Sequence, residues 1–370
     1  MANQQKYETQ LPASFDQNNV GLFDEIDFRE NIDQAEAYEI ANHIEQREND
    51  AADEVVKLAI IDNQVDFDLK EGRLTIFPAA VRDLINLLLF IFHNLRIISD
   101  IIVTLDNHLL AHIFSPIFWV SAADGKTHPW PGSKGELTAI FPDDVGTKWN
   151  VNPKMVWICL GKKATPENIA ELQKYAKWYC AELLRQGKPP LVVWPVHCRL
   201  GSKGAALVPA LMRAVDFFDV VRGSVSTWRV KGLNKLTEGY SPFGDEIKMY
   251  GKTKVGEDSV AVIQDLLNCA MLIIAGQALS HCVRAAIYDI MRQILEMEKA
   301  QGIDPSQSLT RKIYILVDAS SPVPTFEKQA QDALIDFKNA GMNVVLTTTP
   351  IRDWPNLPKG VAAKIDRLAA

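Results

Sequence analysis

The stretch VVKLAIIDNQVDF, residues 55–67, sets a continuous apolar run against an abrupt polar end. A strand with one wet face alternates apolar and polar residues, whereas a strand covered on both faces reads as an unbroken apolar run. Residues 55–62 are of the second kind, which predicts a parallel strand between layers of helices, closed by Asp62. The same reading extends outward along the chain. Strand candidates are Asp100–Asp106, MVWICLG at 155–161, LVVWP at 191–195, the run ending at Gly276, IYILVDA at 313–319 and MNVVLTT at 342–348. Helices are expected between them, near 79–96, 165–185, 203–216 and 282–300, with a last one ahead of residue 342. Thr165-Pro166-Glu167 supplies an N-cap and a first-turn proline for one of these. Alternating strands and helices predict an α/β fold, a doubly wound, mostly parallel sheet flanked by helices.

The 370 residues are 47% hydrophobic and 23% charged, enough for a large core with room for additions. A formal net charge of −7 argues against a nucleic-acid-binding surface. The longest apolar stretch, residues 84–95, is too short and interrupted to span a membrane. The five cysteines, Cys159, Cys180, Cys198, Cys269 and Cys282, form no CxxC pair, and the opening MANQQKYETQ lacks the apolar core of a secretion signal. Free thiols in a reducing cytoplasm are the expectation. Residues 1–54 carry fourteen acidic and three basic side chains. They are expected to form an acidic extension, with a helix within 31–50, that serves as an arm or partner-binding element outside the core.

Ligands of open parallel sheets bind beyond the carboxyl ends of the strands. Asp62, Asp106, Trp194, His197 and Cys282 are all expected at or just after such an end. A free cysteine is usually a small buried hydrophobe. At a helix N-terminus, where Cys282 is expected, the helix dipole favours thiolate and makes a nucleophile. Asp62 either caps the next turn or acts as general base beside that thiol. In Asp106-Asn-His108, residues i and i+2 of an extended segment share a face and can reach one metal ion. His197 offers a third ligand and His112 a weaker one; the alternative for each histidine is a hydrogen-bonded structural role. Lys231 is either a solvated surface group or an ammonium that lowers the thiol pKa. His281 adjoins Cys282, but neighbours on a helix point apart, which makes it a poor base.

These motifs, in this order, resemble those of the nicotinamidases within the isochorismatase-like cysteine hydrolases. Asp62-Asn-Gln-Val-Asp-Phe67 is similar to the family's D-x-Q-x-D-F, and Asp106-Asn-His108 to its D-x-H. WPVHCRLGSKGA, residues 194–205, matches W-P-x-H-C-x-x-G-[TS]-x-G-A throughout. Lys231-Gly232 with Tyr240-Ser-Pro-Phe243, and Gly276-Gln-Ala-Leu-Ser-His-Cys282-Val283, resemble the family's later elements, and Asp318-Ala319 its downstream D-A. The resemblance covers roughly residues 56–350. It departs at Asn107 and Leu109, where the family usually has tryptophan and proline, and in a long insertion at about 113–190. The layout it implies is an acidic extension, 1–54, followed by a hydrolase domain, 55–370, that contains this insertion.

The resemblance implies a catalytic triad of Asp62, Lys231 and Cys282, and metal ligands Asp106, His108 and His197. It implies a pyridine pocket lined by Phe67, Leu74, Trp194 and Tyr240. It also implies a cis peptide at Gln277–Ala278, with the backbone N–H groups of Ala278 and Cys282 as oxyanion hole. The expected activity is hydrolysis of nicotinamide to nicotinate and ammonia through a thioester, within NAD salvage. The alternatives are a related C–N hydrolase acting on a larger pyridine, carbamoyl or ureido amide, or a catalytically silent binding homologue. The expected cofactor is one divalent ion, zinc first, with manganese and iron behind it. The expected partner is a small-molecule amide, with neither nucleic acid nor membrane, and the extension or insertion offers surfaces for a homo-oligomer.

Overall fold

The computed structural model describes residues 6–132, 136–304 and 307–370; residues 1–5 of the acidic segment, 133–135 of the expected insertion and 305–306 lie outside the described residues. The chain divides into two compact units. One comprises Met1–Leu105, Ala206–Val230 and Ser259–Ala370, the other Asp106–Ala205 and Lys231–Asp258. Helices are numbered along the chain as α1 (Phe28–Asn42), α2 (Ala79–His93), α3 (Lys154–Leu160), α4 (Pro166–Arg185), α5 (Pro209–Arg222), α6 (Val260–Leu266), α7 (Cys282–Gln301), α8 (Glu327–Asn339) and α9 (Lys359–Ala369).

The first unit is built on a six-stranded sheet of β1 (Val56–Ile61), β2 (Asp100–Asp106), β3 (Thr227–Lys231), β4 (Met271–Gly276), β5 (Ile313–Leu316) and β6 (Asn343–Val345). The terminal residues of β2 and β3, Asp106 and Lys231, are counted with the second unit. The order across the sheet is β6-β5-β4-β1-β2-β3. The pairings β6–β5, β5–β4, β4–β1 and β1–β2 are parallel. Strand order therefore reverses between β1 and β4, the place where open α/β sheets leave a crevice beyond their carboxyl ends. Every residue of β4 and β5 is buried, and in β1 only Lys57 is less than buried. That burial on both faces is why these strands read as unbroken apolar runs. On one face Val56, Leu58, Ile60, Ile273 and Ala275 pack with Leu84, Leu87 and Leu88 of α2 and with Leu211 and Phe218 of α5. The sequence-based α/β expectation holds.

Segment 1–54 does not stand outside the core. Tyr7, Val20, Ala35 and Ile44 belong to the same apolar cluster. Its helix α1 starts earlier than expected, with the Asp27 carboxylate accepting the N–H of Glu30, and ends by residue 42. Its acids meet cations far along the chain. Asp50 lies 2.8 Å from Arg222 and 2.5 Å from Lys364, with all three side chains buried, and Glu54 pairs with Arg367 at 2.7 Å. The helix expected near 203–216 also shifts, because Pro209 takes its first position.

The second unit is made of short antiparallel pairs, 119–121 with 149–151, 138–140 with 191–193 and 249–250 with 253–254, together with α3 and α4. As expected, the Thr165 hydroxyl caps α4 by accepting the N–H of Asn168. Two expectations are overturned. MVWICLG is helical, as α3, with Pro153 at its start and Gly161 ending it at φ +66°; only Met155 and Val156 of it are buried. LVVWP is extended over 191–193 alone and pairs outside the main sheet, so Trp194 and His197 do not follow a main-sheet strand. A short apolar run distinguishes neither helix from strand nor one strand partner from another. No helix among the described residues is long and apolar enough to cross a membrane.

Candidate active site and metal centre

In the first unit, parallel register sets Ile61 opposite Gly276. Gly276 has φ +119°, and a Cβ there would meet the Ile61 carbonyl oxygen at 2.1 Å, so the two strand ends close only on a glycine. The N–H of Gln277 donates to Ile61 O at 2.7 Å, so the two chain exits begin side by side. Asp62 follows β1 fully buried at φ +51°, a region side chains rarely adopt. The Thr104 hydroxyl donates to its Oδ1 at 2.5 Å, and its own N–H donates to Thr104 O at 3.2 Å.

Beyond β4 the Gln277–Ala278 peptide is cis. Gln277 anchors this loop: its Nε2 donates to Asp83 Oδ2 at 3.0 Å, and its Oε1 accepts the N–H of Ser321 at 3.3 Å. The loop delivers Cys282 as the first residue of α7, buried. The Asp62 carboxylate and Cys282 Sγ lie within 4.8 Å of each other. The dipole at the start of a 20-residue helix favours a thiolate there. By contrast, burial pushes Cys159 up to about 11 and Cys180 up to about 12, and raises Cys269 as well. His281 is no base for Cys282. Burial pushes its pKa down to about 3, and its Nδ1 lies 2.9 Å from Ser280 Oγ. Phe67 is buried in the turn Val65–Asp68, and the half-buried Leu74 donates its N–H to Asp66 O at 3.1 Å.

In the second unit, the N–H of His108 donates to Cys198 O, and that of Leu200 to His108 O, both at 2.9 Å, which ties the Asp106–His108 segment to the one carrying His197. Donor atoms of Asp106, His108 and His197, all buried, lie within 4.8 Å of one another. His108 Nε2 is 2.8 Å and His197 Nε2 3.8 Å from Asp106 Oδ2. The Nδ1 atoms face carbonyls instead, Gly232 O at 3.1 Å and Pro195 O at 2.7 Å. A carbonyl only accepts, so each Nδ1 carries its hydrogen, and both Nε2 atoms are turned toward one carboxylate. Such convergence calls for a cation. Two imidazoles and a carboxylate, with the imidazoles held by outer carbonyls, suit a first-row divalent ion.

Gly232 completes the centre. It has φ +80°, and a Cβ would meet Asp106 Oδ1 at 2.5 Å and His108 Cε1 at 2.8 Å. Lys231 Nζ lies 3.0 Å from Asp106 Oδ1 and donates to Gly239 O at 3.1 Å. Burial pushes the Asp106 carboxyl up, but His108 and Lys231 outweigh it and hold the group well below the usual carboxylate range. His112 is outside the donor group. Its Nε2 accepts the N–H of Leu109 and its Nδ1 donates to Asn234 O, both at 2.7 Å, and burial lowers its pKa to about 4.

Trp194 and Tyr240 form a chain with a residue that sequence reasoning missed. Trp194 Nε1 donates to Tyr240 Oη at 2.9 Å, and Tyr240 Oη donates to Glu238 Oε1 at 2.6 Å. The N–H of Glu238 donates in turn to Tyr179 Oη at 2.8 Å. Burial pushes the Glu238 carboxyl up to about 8. Its only sequence signal is its place two residues before Tyr240.

The expected site residues thus fall into two groups. Asp62, Phe67, Leu74, Ala278 and Cys282 belong to the first unit, and Asp106, His108, Trp194, His197, Lys231 and Tyr240 to the second. Fold and site define an α/β protein with a buried thiol–carboxylate pair in the first unit and an Asp-His-His donor group in the second. No family model matches the chain, and no curated protein does. Solved structures to which it is similar include nicotinamidases and pyrazinamidases. A yeast nicotinamidase is 18% identical, with 79% of this chain and 99% of that one covered at a TM-score of 0.45. An Acinetobacter baumanii nicotinamidase/pyrazinamidase is 15% identical, with 80% and 97% covered at 0.44. A Pyrococcus horikoshii pyrazinamidase in complex with zinc is 16% identical, with 79% and 98% covered at 0.40.

Proposed function

We propose that the chain is a cysteine amidase that hydrolyses nicotinamide to nicotinate and ammonia, with Cys282, Asp62 and Lys231 as its catalytic residues. The observation that carries this reading is the pairing of Asp62 and Cys282 within 4.8 Å where the strand order reverses. Asp62 takes the thiol proton, and the Lys231 ammonium favours the charged pair. The thiolate adds to the carboxamide carbon, while the N–H groups of Ala278 and Cys282 receive the developing oxyanion. Asp62 returns its proton to the nitrogen, the C–N bond breaks, and ammonia leaves a thioester. A water then loses a proton to Asp62 and attacks the thioester carbon; the C–S bond breaks, and the proton returns to sulfur as the acid departs. Phe67, Leu74, Trp194 and Tyr240 enclose the pyridine ring. A divalent ion held by Asp106, His108 and His197, zinc first and manganese or iron next, supplies a Lewis acid for the ring nitrogen.

The test is ammonia release from nicotinamide by the purified chain and by Cys282→Ala, each with and without added divalent metal. Release by the parent that vanishes in the variant supports both reaction and nucleophile. Release only from a larger pyridine or carbamoyl amide reassigns the substrate and keeps the chemistry. No release from any of these amides, with Cys282 no more reactive than the other thiols near pH 6, overturns the proposal.

A further inference from the structure

Asn63 and Asp68 bracket the turn that follows Asp62, and both are 0% exposed. Asn63 Nδ2 donates to Asp68 Oδ2 at 2.8 Å. The remaining oxygen of each group, Asn63 Oδ1 and Asp68 Oδ1, is buried with no hydrogen-bond partner among the described residues. Two acceptors buried without a donor are costly, and one hydrogen between them would satisfy both. A carboxylic acid and a carboxamide are complementary in this way, each offering one donor and one acceptor on the same edge. The charged groups facing Asp68 are carboxyls as well, Asp83 of α2 and Asp62, so its ionised form would meet repulsion and no cation.

We propose that Asp68 is a neutral carboxylic acid in the folded protein, its hydrogen donated to Asn63 Oδ1, and that this two-bond pair is a positioning device for Asp62. Asn63 is the next residue after Asp62, so the pair holds the backbone that keeps Asp62 at φ +51°. It does so without adding a negative charge beside the proposed base. Burial pushes the Asp68 carboxyl well above the usual range, in keeping with this geometry. The positioning role rests on the proposed amidase reading; the protonation state does not.

The experiment compares full-length Asp68→Asn with the parent protein. Asparagine keeps a donor and an acceptor on the same edge and is never charged. A proton held in the folded state and released in the unfolded one makes stability fall as pH rises above about 4. The melting temperature of Asp68→Asn, relative to the parent, is therefore expected to improve steadily from pH 5 to pH 8. The alkylation pH profile of Cys282, read with iodoacetamide and no substrate, is expected to stay within about half a unit, since no charge near Asp62 changes. A relative melting temperature that stays flat or falls from pH 5 to pH 8 would overturn the protonation, and a shifted alkylation profile would overturn the silent-charge role. If Asp68→Asn fails to fold, carboxyl ¹³C titration of the parent decides: ionisation of Asp68 below pH 6 sinks the inference. Failure of ammonia release with these results intact would remove only the amidase reading.

Discussion

Asp68 in the first unit and Asp106 in the second are both buried carboxyls, yet their surroundings push them in opposite directions. Asp106 faces His108, His197 and Lys231, and these cations and donors outweigh burial and keep it ionised. Asp68 faces an amide and two more carboxyls, and burial wins. Burial alone therefore says little about charge; partners decide it. The two units differ in the same sense. The second gathers opposite charges around a donor group, whereas the first places a thiol and its carboxylate neighbour by means of strand ends and a helix start.

The largest expected effect tests this division. Cys282→Ala should lower ammonia release by about 10³-fold or more, as loss of a nucleophile does, while bound metal measured by elemental analysis stays at the parent level. His197→Ala should do the reverse. It should cut metal affinity by at least the roughly 10–100-fold seen for weaker outer-shell changes, with a smaller loss of release than Cys282→Ala. Metal loss in Cys282→Ala, or equal activity losses in both, would break the comparison.

A smaller effect should follow from Gly232→Ala. The new methyl would press on Asp106 and His108 at a residue with φ +80°. Backbone strain of this kind costs about 1–3 kcal/mol. The expected outcome is weaker metal binding, read by competition with a chelator, without loss of selective Cys282 alkylation. Unchanged metal affinity would mean that the donor group tolerates movement and is not closely held.

Much of the site was legible because its chemistry is local. Asp106 and His108 are two residues apart on a strand end, Cys282 opens a helix, and Asp62 closes an apolar run. Long-range terms were not legible. The acids of residues 1–54 suggested a solvated arm, yet Asp50 and Glu54 find Arg222, Lys364 and Arg367 only in three dimensions. MVWICLG looked like a strand because composition shows apolar residues without their exposure, and Trp157 is 66% exposed on α3. His112 and His108 were both metal candidates in the sequence; the carbonyl and N–H that occupy both nitrogens of His112 separate them. Glu238 gave no pattern, because its role comes from enclosure.

Glu238 supplies the smallest effect and the finest test of the comparison. It is the second unit's counterpart to Asp68, pushed up to about 8 by burial and by Glu246 against the pull of Lys188. In the folded state it keeps its proton to about pH 8, whereas an unfolded glutamate releases it near 4. The folded protein then binds more protons between those limits, so this group's contribution to stability falls as pH rises through them. Glu238→Gln keeps an acceptor for the Tyr240 hydroxyl and removes the titration. Its melting temperature relative to the parent should be near zero at pH 5 and a few degrees higher by pH 8, with the KM for nicotinamide changed by less than about 3-fold because Trp194 and Tyr240 keep their hydrogen bonds. A relative melting temperature that does not rise from pH 5 to pH 8 would show that Lys188 outweighs burial and that Glu238 is an anion like Asp106. The second unit would then gather negative charge wherever a cation is within reach, and the contrast with the first unit would sharpen to the presence or absence of a buried cation.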